Sequence, residues 1–127
     1  MNNIKNELVD YIKNNAGTSF VEIEKVFDEN DFDYKGQGAY TSAENNNIVF
    51  WYGWNKQAFD VVSGLVNDGV IEMSRCESII YIVDGKGLNF PILKSDDVET
   101  YHWLPVTFSL TKEALHDWFR TVKEWCN

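Results

Sequence analysis

Side chains that carry chemistry by themselves are scarce in this chain. Its 127 residues include two cysteines and two histidines. Cys76 and Cys126 show no C-x-x-C spacing and no ligand cluster nearby, which argues against a zinc site. Two free thiols suit a reducing compartment better than a disulfide framework. His102 and His116 have no partner at the spacing of a metal pair or a catalytic triad. No apolar run approaches the roughly 18 residues of a membrane span, and Met1 to Asp10 lack a signal-peptide core. A cytoplasmic protein with no membrane segment, metal or cofactor is therefore expected. Asp84 to Gly87 read D-G-K-G, without the spacing of a phosphate-binding loop. Asp96, Asp97 and Glu99 read as solvated loop acids. No catalytic residue is assigned, and the chain is read as a non-enzyme.

Positive charge is also short. Eleven Lys and Arg face twenty Asp and Glu, for a net charge of −9. A polyanion such as DNA meets repulsion at long range, whereas a basic partner is attracted. Apolar and aromatic residues, by contrast, are plentiful at 44% and 15%. Disorder is thus not the default reading, and one domain over residues 1–127 can bury a sizeable core.

Apolar periodicity predicts a helix from Ile4 to Asn14, with Ile4, Leu8, Tyr11 and Ile12 on one face. Ser19 followed by Glu22 is a capping-box pattern. It opens a second helix, with Phe20, Ile23, Val26 and Phe27 inside, ending near Asn30. Residues 31–47 read as a long loop, and Ile48 to Tyr52 as a strand. A third helix is expected from Asn55, its cap, to Asp68, with Gly69 as the stop. Val70 to Ser74 and Ser78 to Val83 read as a hairpin. Phe90 to Leu93 and Trp103 to Phe108 are candidate strands, broken or at an edge because of Pro91 and Pro105. A last helix, Thr111 to Trp125, carries the stripe Leu115, Trp118, Phe119, Val122 and Trp125, which suits core or homodimer packing.

Three helices followed by a hairpin resemble a winged helix-turn-helix over residues 4–84. The segment L-V-N-D-G-V-I at Leu65 to Ile71 is the most similar part. The expected fold is thus α+β, with a winged-helix-like core, extra strands and a C-terminal extension over 88–127. The 24 residues Asp31 to Trp54 depart from that pattern, since the usual turn between the second and third helices is only a few residues long. The chain also resembles small uncharacterised proteins of staphylococcal temperate phages and pathogenicity islands. The residues that carry this likeness are Asn14 to Phe27, Phe32 to Gly36, Gly53 to Phe59, Asp84 to Ile92 and His102 to Phe108. The resemblance implies a host cytoplasm and a role in phage biology, and brings no activity with it.

Two surfaces are candidates for function. The first is acidic: Glu22, Glu24, Asp28, Glu29, Asp31 and Asp33 surround a single cation, Lys25. It would dock on a host protein with a basic, nucleic-acid-binding face, and so inhibit or modulate it. Trp51 and Trp54 are the aromatic anchors expected beside it. Neighbours on a strand point to opposite faces, so Trp51 and the pair Phe50 and Tyr52 cannot share one side. The second surface belongs to the alternative function, a DNA-binding regulator. Lys56, Gln57 and Asn67 on the third helix, with Arg75 on the wing and Lys86 just beyond it, would touch nucleic acid. Three cations with Asp60 among them are few for that task, because phosphate contacts supply most of the affinity.

Overall fold

A computed structural model describes residues 2–116. The part of the expected last helix beyond residue 116, with Trp118, Phe119, Val122, Trp125 and Cys126, lies outside the described residues. Residues 112–116 are helical.

The elements run α1 (Asn2–Asn14), β1 (Thr18–Ser19), α2 (Phe20–Glu29), β2 (Lys35–Thr41), β3 (Ile48–Trp54) and α3 (Lys56–Asn67). They continue with β4 (Ile71–Arg75), α4 (Ile79–Asp84), β5 (His102–Trp103) and β6 (Val106–Leu110). The helix starts follow their caps. The Ser19 hydroxyl accepts from the Glu22 amide at 3.2 Å, and the Asn55 side chain accepts from the Ala58 amide at 2.8 Å. The reciprocal half of the expected capping box is absent. The Glu22 carboxylate instead accepts from the Tyr11 hydroxyl at 2.8 Å and so links α2 to α1.

The strands form two three-stranded sheets. One is antiparallel in the order β1-β6-β4, and the other has the order β2-β3-β5 with β5 parallel to β3. Three expectations change here. The supposed loop 31–47 contains β2, which pairs with β3 around bulges. Its Gly36, Gln37 and Gly38 lack the alternation by which a strand is read. Ser78 to Val83 is not a strand, for Ile79–Asp84 is α4. The partner of β4 is β6, with Met73 opposite Phe108. Phe90 to Leu93 contributes only a bridge between Ile92 and Trp103. The break expected at Pro105 is present, between β5 and β6. The coarse α+β class therefore holds, and the hairpin is redrawn.

Phe20 joins the two sheets. Its ring stacks on Trp51 of β3 at 5.5 Å and meets Phe108 of β6 edge-on at 5.1 Å. Such pairs add to the area they bury. Trp51 and Trp54 both point inward, although strict alternation would send them to opposite faces. Gly53, at φ +105°, breaks the alternation between them. Lys35 and Gly38 both lie opposite Trp54, so the bulge falls at the same place. A β-carbon on Gly38 would come within 2.7 Å of the Trp54 carbonyl oxygen.

Gly53→Ala should cost about 1–2 kcal/mol, the strain of a side chain at positive φ. Urea denaturation would measure this, and Trp fluorescence shifting to the red would report Trp54 leaving the core.

Candidate protein-binding surface

Glu24 occupies the buried face of α2 and is 6% exposed. Its Oε2 accepts from the indole N–H of Trp54 at 2.8 Å and of Trp51 at 3.1 Å. Its Oε1 accepts from Lys86 Nζ at 2.7 Å. A buried carboxylate is tolerable only when paired and hydrogen-bonded, and this one has three donors. Lys86 Nζ also lies 5.9 Å from the centre of the Trp51 ring.

This arrangement corrects four expected site residues. Glu24 does not belong to the acidic surface. Trp51 and Trp54 are not exposed anchors, since both are 0% exposed. The expected nucleic-acid contact Lys86 is the counter-ion of Glu24, with its side chain half in water. The strand argument holds in part. Trp51 faces inward, Tyr52 on the opposite face is 47% exposed and Phe50 is half-buried.

The remaining acids stay outside. Asp28, Glu29, Asp31 and Asp33 are exposed, while Glu22 is half-buried against Tyr11. Burial, then the hydrogen bond to Glu22, raises the Tyr11 hydroxyl from 10.0 to about 12. The face proposed for DNA is poor in available charge. Lys56 pairs with Asp60 at 2.7 Å, and Arg75 lies 3.9 Å from Asp96. Gln57 and Asn67 are exposed on α3.

Sequence reasoning missed an apolar stretch of the surface among the described residues. In α4, Ile79, Ile80, Ile82 and Val83 are 59%, 39%, 73% and 79% exposed, whereas Tyr81 is fully buried. The Tyr81 hydroxyl donates to the Val106 carbonyl at 2.6 Å and accepts from the Phe20 amide at 3.1 Å. Asp84 accepts from the Ser19 hydroxyl at 2.6 Å. Gly85, at φ +88°, ends the helix, and Lys86 follows it to Glu24. One aromatic side chain and two polar ties thus hold a short helix against the body with its aliphatic residues facing water. The signal was the unbroken apolar run Ile79 to Val83. Its β-branched composition reads as a strand, and a strand there would have buried one side of it.

Cys76 enters this region from β4. Burial, then the nearby Glu77 carboxylate, raises its thiol from 9.0 to about 11. Among the described residues, no group of three or more His, Cys, Asp or Glu side chains could hold a metal ion. No helix among them is long and apolar enough to cross a membrane. Comparison of the chain with protein-family models, with curated proteins and with solved structures gave no match.

Glu24→Leu strands two buried indole donors and should cost about 3 kcal/mol or more, while Glu24→Gln, which keeps an acceptor, should cost about 1–2 kcal/mol. Urea midpoints of the two variants against the parent give the order. Alkali supplies a second check. The unfolded chain releases the Cys76 and Tyr11 protons near 9.0 and 10.0, whereas the folded chain holds them to about 11 and about 12. The stability linked to these groups is complete below pH 9 and is lost as pH rises from there toward 12. Urea midpoints should fall across that window, and Tyr11→Phe with Cys76→Ser should flatten the fall.

Proposed function

We propose that this protein acts by binding another protein through α4, and that the body of the chain is a scaffold for that surface. The observation that carries the reading is the exposure of Ile79, Ile80, Ile82 and Val83 around a fixed Tyr81. Fully burying one aliphatic side chain of this size contributes about 1.5–3 kcal/mol. A contiguous apolar surface in a chain this acidic is therefore a strong candidate for an interface. Pre-fixing the helix lowers the ordering cost of association.

The scaffold reads as a modified winged helix. The support is the helix order α1, α2, α3 together with the strand order β1-β6-β4. On this view β2 and β3 are an insert between the second and third helices. The wing between β4 and β6 has grown into a 30-residue excursion, residues 76–105, that carries α4 and β5. The likeness to phage and pathogenicity-island proteins extends the proposal to a host protein in the host cytoplasm, which binding would inhibit or modulate.

The same strand order favours a second reading, a DNA-binding regulator using α3. The net charge of −9 and the few cations on that face weigh against it. One comparison separates the two. The full chain and an Ile82→Ser/Val83→Ser variant are immobilised, and host lysate and duplex DNA are passed over each. A specific protein retained by the parent and lost from the variant, with DNA unbound at ordinary ionic strength, is the expected result. Sequence-selective DNA retention that falls steeply with salt and ignores the α4 substitutions would replace the proposal with the regulator.

A further inference from the structure

We infer that the outer face of the second sheet carries a binding site for a small alkylammonium ion, held by the rings of Tyr52, Phe90 and Tyr101. The site is separate from α4 and stands whether or not α4 binds a protein. The three side chains line a cavity of about 250 Å³, together with Thr41, Asn46 and Val49. Tyr52 is 47% and Tyr101 57% exposed, so both rings are open to an incoming ligand. Backbone bonds set the cavity in place. The Trp103 amide donates to the Pro91 carbonyl at 2.8 Å, and the Leu93 amide to the Trp103 carbonyl at 2.9 Å. These bonds hold Phe90 and Tyr101 near one another. Asn45 and Asn47, in the turn between β2 and β3, donate to the Val98 carbonyl at 3.1 and 3.3 Å, which ties the loop before Tyr101 beside Asn46. Tyr52 points outward because its strand neighbour Trp51 turns into the core. A site prepared in this way loses little freedom when a ligand arrives.

Size, ring geometry and charge together select the ligand. The cavity is smaller than the roughly 300–1,000 Å³ of a site for a drug-sized molecule, so its occupant is a compact group. The Phe90 and Tyr101 rings lie 5.8 Å apart and 47° from parallel. A flat ring stacked between two others needs about 7–8 Å, twice the van der Waals separation, so no planar ligand slots between this pair. A rounded group can rest against these rings instead. No charged side chain lines the cavity. An anion would meet the negative faces of the rings in a chain of net charge −9. A cation meets the reverse, since aromatic faces attract it within about 6 Å of their centres. On the loop from Lys94 to Tyr101, Asp97 and Glu99 outnumber that Lys once Asp96 is set against Arg75, which adds to the preference at longer range. A bare ammonium donates three hydrogen bonds and would find few acceptors among these walls. Alkyl groups around the nitrogen suit Val49 and the rings better.

Isotope-labelled full-length protein titrated with choline tests this, beside phenol and the carbon isostere of choline, in which a quaternary carbon replaces the nitrogen. Choline should shift the amide resonances of Tyr52, Phe90 and Tyr101, and the isostere should bind roughly tenfold more weakly. Tyr101→Phe keeps the ring and should bind choline as the parent does. Tyr101→Leu keeps apolar bulk without the ring and should bind it several-fold more weakly. Tyr101 is exposed, so neither change disturbs the core, and the amide spectrum of each free variant checks its fold. Equal binding of choline and its isostere at these amides overturns the inference in favour of a purely apolar cavity. Tighter binding of phenol than of choline overturns it in favour of a flat ring. Unchanged choline affinity in Tyr101→Leu, or no shift from choline at high millimolar concentration, overturns it as well.

Discussion

The carboxylate of Glu24 accepts from the indoles of β3 with one oxygen and from Lys86 with the other. It thereby joins α2, strand β3 and the segment that follows α4. Each of these depends on the others for polar satisfaction. Without Glu24, Trp51 and Trp54 would bury unpaired donors. Without those donors, the carboxylate would be too costly to bury. Lys86 closes the set from the solvent side and fixes the end of α4. Hydrogen bonding here connects parts of the chain that the apolar core alone would let slide.

That connection links segments that are far apart in the chain. The β2-β3 pair and the segment 76–105 meet, because β5 pairs with β3. Trp103 of β5 packs against Tyr81 at 5.1 Å and toward Trp51 at 6.4 Å. The second sheet is thus built from these two segments, and Phe20 stitches it to the first. The two segments brace each other, and α4 rests on them through Tyr81 and Trp103.

Helices α1, α2 and α3 were legible from sequence because their signals are local. Ser19, Asn55 and Gly69 fix ends within a few residues, and the apolar stripes repeat at 3.6. The failures came where distant residues decide. Ile79 to Val83 has the composition of a strand, yet Tyr81 is claimed by the Val106 carbonyl and the Phe20 amide. Those partners lie 25 and 61 positions away in the chain, beyond any window of sequence. Glu24 looked like one more surface acid among its neighbours. Only its place on the helix face, between Ile23 and Phe27, hinted at burial. Trp51 and Trp54 misled because one glycine, Gly53, reverses the side to which the second points. The acids Asp28, Glu29, Asp31 and Asp33 were read correctly as exposed.

The first sheet also constrains how the molecule is made. Its central strand is β6, near the end of the described chain, and β1 near the beginning pairs with nothing else in that sheet. Thr18 lies opposite Phe108, and the Gly17 amide reaches across 92 positions to Ser109. A nascent chain leaving the ribosome can form α1, α2 and α3 early, but it cannot close this sheet until residues 106–110 have emerged from the exit tunnel. Until then the apolar faces of β4 and α2 wait uncovered. Non-local closure of this kind slows folding and prolongs exposure to aggregation, so synthesis of nearly the whole described chain must precede a protected core.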